Sequence, residues 1–329
     1  MRRGTSAILH MRLLTVHRSA IHRRAAGAVV TINRSLRARD GARSAWYRGG
    51  TPFHGRGATM TDILRELSPA TLAAAIEANE VAYWRYHVPV AGWELIEGPG
   101  ITGYLSGRPE MMRNGVFFTD LAPEVANDAI AAAIDRFRAR GLPFVWWGGP
   151  SRRPRDLGRR LLAQGLVLDA VDPGLAADLA ALREDLPAPA GLSIERVRDE
   201  EGLRLWHRTL DNKPADQLAA QQSADYRYVA EPFDDDDSCR LFLARLHGEP
   251  VATCELLLGA GVAGIYCVGT LPTARCQGIG SAIVLAALRE ARAAGYRAGV
   301  LGSSPMGLGV YQGLGFIEYC KLTMHTMRL

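Results

Sequence analysis

The chain has 329 residues, 48% of them hydrophobic and 22% charged, with a formal net charge of +5. That is room for two ordinary domains and the composition of a globular protein, which argues against a disordered or fibrous chain. No uninterrupted apolar run approaches the roughly 18 residues of a membrane span, and five scattered cysteines with no Cys-x-x-Cys argue against a disulfide framework or a zinc site.

The charge is unevenly spread. Residues 1–59 hold 12 Arg, no Lys and one acid, Asp40, a surplus of +11, so the remainder carries −6. A basic head on an acidic body gives no reason to expect a specific nucleic-acid partner. The head lacks a long periodic segment and is rich in Arg, Ser, Gly and His. It reads as upstream sequence ahead of a start at Met60, as a disordered basic tail, or as an organellar presequence. The first two fit better, because a helical pattern opens directly after Met60-Thr61-Asp62. The odd number of thiols fits a reducing cytoplasm, the expected location, and no membrane partner is expected.

Residues 60–186 form a first unit. Ser68 is placed to cap a helix that runs through Leu72, Ala75 and Ile76. Strand-like runs follow at Trp93–Glu97, Ile101–Leu105 and Val116–Thr119, punctuated by Pro-Gly and Gly-Arg-Pro turns. A helix over about Val125–Arg140 closes at Gly141, Phe144–Trp147 reads as a buried strand, a short helix covers Arg155–Gln164, and Leu166–Ala170 is a further strand. Trp146 and Trp147 are expected as core aromatics rather than a stacking platform. The run Arg152, Arg153, Arg155, Arg159 and Arg160 is expected as a solvated helix edge. Residues 187–191, beginning Pro187-Ala188-Pro189-Ala190, read as a linker.

Residues 192–329 form a second unit. Leu192–Val197 is strand-like, Asp199–Leu210 is an amphipathic helix, and Asp211–Ser238 is polar and irregular, ending in Asp234-Asp235-Asp236-Asp237. That acidic run reads as a solvated loop before it reads as an attractor for a cationic amine. Three strands follow as a meander: Arg240–Leu246, Val251–Leu258 and Val262–Gly269. Then come Arg275-Cys276-Gln277-Gly278-Ile279-Gly280-Ser281, a helical pattern over Ile279–Ala294, and a strand at Ala298–Gly302.

Two glycines where strand gives way to helix let the backbone approach a ligand closely. The helix start behind them offers unpaired N–H groups and the positive end of a dipole, a pocket for phosphate. The full pattern, Arg-x-x-Gly-x-Gly, helix, Gly295, strand, Tyr311 and Leu314-Gly315-Phe316, resembles the acyl-CoA-binding core of the GNAT N-acetyltransferases. The resemblance covers about Leu192 to Leu329. It implies an α/β fold with a mixed sheet and acetyl-CoA as acyl donor, with no metal.

The first unit echoes the second. Asp128-Ala129-Ile130 through Gly141, Phe144–Trp147 and Gly165 follow the order of Ser281-Ala282-Ile283 through Gly295, Ala298–Gly302 and Gly315, with glycine spacings of 24 and 20 residues. We read an internal duplication, two tandem GNAT-like domains. The first copy has lost the chemistry: Asp120-Leu121-Ala122-Pro123-Glu124 precedes its helix, with no glycine and an acid where phosphates would sit.

The resemblance implies roles residue by residue. The N–H groups of Gln277, Gly278, Ile279, Gly280 and Ser281 would grip the pyrophosphate, with Arg275 and Cys276 in the same turn. Cys267, Val268 and Gly269 would carry the pantetheine arm and acyl group, Val268 N–H as oxyanion donor. Tyr311 would protonate the departing thiolate. Ser304 stands where the family often has Asn in contact with CoA. The amine's base is not named by any motif. Glu255 is the best candidate against a surface carboxylate, ahead of His207 and His325. Acyl transfer through Cys267 or Cys276 is disfavoured, since nothing activates either thiol.

The expected activity is transfer of an acetyl group to a primary amine of a small molecule or peptide by direct attack in a ternary complex. An inactive acyl-CoA sensor is the alternative outside enzymes. The tandem arrangement also looks like mycothiol synthases, and an antibiotic-amine acetyltransferase is a further reading. The assembly is expected to be a monomer or homodimer.

Overall fold

A computed structural model describes residues 63–212 and 238–329. The basic head and the four-Asp run lie outside the described residues. The first described helix, α1 (Pro69–Val90), starts as its sequence dictates. Ser68 accepts from Thr71 N at 3.4 Å, and Pro69 supplies a first-turn residue that needs no hydrogen bond. Strands β1 (Glu94–Gly98), β2 (Ile101–Leu105) and β3 (Asn114–Thr119) follow as a meander. Then come α2 (Ala126–Arg138), β4 (Phe144–Gly148), α3 (Leu157–Ala163) and β5 (Val167–Asp178). The second half supplies β6 (Leu192–Arg196), α4 (Glu200–Asp211), β7 (Cys239–Leu246), β8 (Glu249–Gly259) and β9 (Val262–Thr270). It ends with α5 (Ile279–Ala293), β10 (Ala298–Gly302), α6 (Leu308–Leu314) and β11 (Ile317–Met327).

The glycines read as punctuation terminate four helices in one way. Gly141, Gly165, Gly295 and Gly315 have φ of 62°, 91°, 90° and 103°. The residue after each donates back five positions: Leu142 N to Phe137 O, Leu166 N to Leu161 O, Tyr296 N to Ala291 O and Phe316 N to Tyr311 O, at 3.0–3.1 Å. These are left-handed caps that only glycine adopts without strain. They recur at matched places in the two halves of the chain.

The eleven described strands join one mixed sheet in the order β1-β2-β3-β4-β11-β5-β10-β9-β8-β7-β6. The sequence did not foresee how the halves join. The strand expected over Leu166–Ala170 continues to Asp178, and its far end pairs with β10, Ala298 opposite Asp178 and Gly302 opposite Gly174. Reciprocally, β11 lies against β4, Met327 opposite Phe144 and Thr323 opposite Gly148. β5 and β11 also pair with each other. Each half therefore lends its last strand to the other, and neither sheet is complete alone.

Helix α1 lies across the sheet centre, packing on β10, β5, β9, β11 and β8. Its Leu72, Ala75 and Ile76 enter a cluster with Ala176, Val262 and Val300. Helix α5 covers the opposite face through Ile283, Val284, Ala287 and Leu288. Trp146 and Trp147 are buried core residues, as expected, with Trp146 Nε1 donating to Thr119 Oγ1 at 3.0 Å. No described helix is long and apolar enough to cross a membrane. All five cysteines are free thiols.

The expectation of a solvated arginine edge is corrected at Arg152. Its guanidinium is buried between Glu77 (3.6 Å) and Glu80 (3.7 Å) of α1. Arg159 and Arg160 do form an outer edge, paired with Asp156. The difference comes from the turn after β4, which directs Arg152 inward, where the two acids offset its charge.

Candidate active site

β9 and β10 are parallel neighbours only at Ala263–Gly299 and Gly264–Val300. Beyond these pairs β9 leaves β10, opening a wedge. On its other flank β9 carries a bulge: Gly269 faces Thr253 and Tyr266 faces Glu255, so Cys267 and Val268 together oppose Cys254. Cys267 takes φ 49°, and its carbonyl accepts from Thr253 Oγ1 at 2.9 Å. Cys267 and Val268 thus have no registered partner on either neighbouring strand. The wedge and the bulge adjoin, next to Gly269.

The loop from β9 to α5 turns through Cys276 (φ 60°) and Gly278 (φ 79°), the helix N-cap. A Cβ on Gly278 would run into the Pro187 carbonyl, so only glycine lets the 187–191 segment pass behind the loop. Among the described residues nothing accepts from the N–H groups of Gln277, Gly278, Ile279, Gly280 or Ser281. The first helix-internal donor is Ala282, to Gly278 O at 3.0 Å. Arg275, Cys276 and Gln277 are exposed. Arg275 Nε donates to Thr270 O at 3.0 Å, which holds its guanidinium at the mouth of the loop. A row of open donors at a helix start has the chemistry to hold an anion.

Ser304 caps the turn into α6, accepting from Gly307 N at 2.9 Å, which leaves its hydroxyl proton available. Tyr311 lies in the core beneath α5, edge-on to Phe316. Burial, and secondarily the Cys254 thiol, push the Tyr311 phenol above its ordinary pKa, so it stays protonated at neutral pH.

The first half has the same wedge, since β3 and β4 pair only at Gly115–Val145 and Val116–Trp146. There it is zipped shut. Arg153 N donates to Thr119 O, and Leu121 N donates to Arg153 O, both at 3.2 Å, adding a strand-like bridge between Asp120 and Arg153. Arg152 stands over the Phe118 ring at 5.8 Å. In the second half the loop after β10 instead turns towards β5, Ser303 N donating to Pro173 O at 3.0 Å, and the wedge is not bridged in this way.

The surface-carboxylate alternative for Glu255 is overturned. Glu255 is fully buried on β8, and Oε1 accepts from His87 Nε2 of α1 at 2.7 Å and from Cys239 Sγ at 3.4 Å. Burial raises its pKa. His87 first, with the neighbouring Cys267 and Cys239 thiols, outweighs that and holds it below the usual carboxylate range. Oε2 is buried without a hydrogen-bond partner among the described residues, a state that costs on the order of 1–3 kcal/mol. His87 Nε2, Cys239 Sγ and a Glu255 oxygen lie within 4.8 Å of one another, a spacing that metal ligands also show. Here both partners already bond Oε1, and we read a hydrogen-bonded cluster. His325, the other histidine weighed on the C-terminal strand, lies against Gly158 in the first half.

Sequence reasoning missed the part played by α1. Asn79, Tyr83 and His87, four residues apart, share one face of the helix. Asn79 Oδ1 accepts from Tyr266 OH, Tyr83 stacks on Tyr266 with ring centroids 4.1 Å apart, and His87 meets Glu255. The available signal was three hydrogen-bonding side chains spaced four residues apart, the repeat of one helix face.

Residues 195–316 match the model of the Acetyltransferase (GNAT) family. No curated protein matches the chain. Among solved structures, a GCN5-related N-acetyltransferase from Kribbella flavida is similar in fold, with 18% identity over 77% of this chain and 95% of that one, TM-score 0.59. A tandem GNAT protein from the clavulanic acid biosynthesis pathway has 15% identity over 79% and 94%, TM-score 0.55. A conserved protein from Staphylococcus epidermidis, described as functionally unknown, has 14% over 72% and 94%, TM-score 0.53.

Proposed function

We propose that this chain, which carries a GNAT acetyltransferase domain over residues 195–316, moves an acetyl group from acetyl-CoA to a primary amine of a small molecule or peptide. The observation that carries this reading is the row of open N–H groups at Gln277–Ser281 beside the unbridged wedge between β9 and β10. The donors would hold the diphosphate, and the pantetheine arm would run along Cys267, Val268 and Gly269 into the wedge. Val268 N–H, outside both strand registers, would meet the acyl oxygen.

The amine enters from the α1 face of the sheet. Its nitrogen bonds to the acyl carbon, the carbonyl electron pair moves to oxygen, and the nitrogen's proton goes to Glu255. On collapse the C–S bond breaks, and the thiolate takes the Tyr311 proton. We further propose that residues 60–186 are a degenerate copy that does not take CoA, with 187–191 as linker and 192–329 as the catalytic copy. The bridge through Arg153 across the first wedge supports this. Free thiols fit work in a reducing cytoplasm.

The test is calorimetry with acetyl-CoA, followed by thiol release against a panel of primary amines. One bound acetyl-CoA and release with at least one amine is the expected result. Binding with no release across a broad panel favours a sensor, and no binding removes the reading.

A further inference from the structure

His87 sits on the first half of the chain, yet its ring is fully buried against a carboxylate of the second half. A passive scaffold has no need to place an imidazole there. Glu255 faces Tyr266 in register, the residue that precedes the β9 bulge at Cys267 and Val268, so β8 carries it beside the point where β9 leaves β10. Oε1 is occupied by His87 and Cys239, while Oε2 has no partner among the described residues.

We propose that His87 is a positioning residue: it fixes Glu255 through Oε1 and leaves Oε2 to receive the proton of the attacking amine, so that the first half supplies part of the catalytic machinery. This rests on the acyltransferase reading. Among the described residues, the groups facing Glu255 are His87 from α1, Cys239 from β7, Cys254 on its own strand, and Cys267 and Tyr266 from β9, with Tyr83 of α1 behind Cys267. Helix α4, packed on the same strands, brings Trp206 to the Cys254 carbonyl and carries His207 as its titratable neighbour. Of these, His87 contributes most to holding Glu255 below the usual carboxylate range. Removing its imidazole raises the pH at which Glu255 ionises.

The experiment compares the wild type, His87→Gln, Glu255→Gln and the double variant, using acetyl-CoA and the fastest amine of the panel. Glu255→Gln should lower kcat by about 100-fold, the lower end of what a general base contributes. His87→Gln should lower kcat by about 10-fold or more, leave acetyl-CoA affinity unchanged, and move the acid limb of kcat/KM to higher pH. The double variant should be no slower than Glu255→Gln alone, as for residues that act through one another. It also leaves no buried carboxylate without its partner, so it stays folded if His87→Gln does not. Effects of the two substitutions that multiply in the double variant, or an acid limb that stays in place, overturn the proposal.

A second readout needs no acceptor. Infrared difference spectra against Glu255→Gln should show an ionised Glu255 at neutral pH in the wild type and a larger protonated fraction in His87→Gln. The same ionisation in both overturns the proposal. Loss of acetyl-CoA binding by the wild type would instead remove the acyltransferase reading.

Discussion

Asn79 on α1 accepts a 2.7 Å hydrogen bond from the Tyr266 hydroxyl on β9 and gives one of 2.8 Å to the Gly259 carbonyl on β8. One side chain thereby ties the first helix of the chain to two strands of the other half. Asn79→Ala would leave a buried hydroxyl and a buried carbonyl unpaired, so it should destabilise the protein by about 3 kcal/mol. A urea midpoint that falls with an unchanged slope is the expected result. An unchanged midpoint would mean that this contact does not join the halves.

Gly280 is the second residue of α5, and a Cβ there would meet only Thr270 Oγ1 at 3.6 Å and Val310 Cγ1 at 4.0 Å, ordinary contacts. Gly280→Asp should therefore fold, helped by an acid in a first helical turn. Its charge and bulk against the diphosphate should weaken acetyl-CoA binding by about 100-fold or more. Calorimetry and a melting curve separate the two effects. Unchanged affinity would remove the phosphate assignment.

Arg152 and Arg159 are separated by one short turn of chain and should behave oppositely. Arg152→Ala leaves Glu77 and Glu80 buried without their cation, a loss of about 3–5 kcal/mol. Arg159→Ala removes an exposed pair with Asp156 and should cost less than about 0.5 kcal/mol. Chemical denaturation of both variants checks the contrast.

Glu80 carries a pH dependence. Burial first, then the charge of Glu77, outweigh the pull of Arg152 and push its pKa from 4.5 up to about 7. Tyr266 and Cys320 are the other titratable groups that feel its charge. Below 4.5 the folded and unfolded forms are both protonated, and Glu80 has no effect. Between 4.5 and 7 only the folded form keeps the proton, so stability falls as pH rises. Above 7 the penalty is complete. Glu80→Gln should thus stabilise the protein near about pH 8 by up to about 3 kcal/mol, and by much less near about pH 5. A melting-temperature gain equal at both values would contradict the raised pKa.

The local elements and their ends could be read from the order of residues alone. The left-handed caps at Gly141, Gly165, Gly295 and Gly315 follow from glycine's freedom at positive φ, and the strand β10 begins and ends where its apolar run does. The turn at Gly278 and Gly280, with its row of open N–H groups, was legible for the same reason, since it is main-chain and short-range. Long-range partners became visible once the chain was folded. Nothing local in β5 or β11 says that each completes the other half's sheet, because strand pairing depends on which edge is left open. Nor does a lone histidine or glutamate announce its partner: His87 and Glu255 are 168 residues apart and meet only because α1 crosses the sheet centre. Burial also turned Arg152 from an expected surface charge into a core ion pair, since the cost of burying a charge is set by what surrounds it after folding.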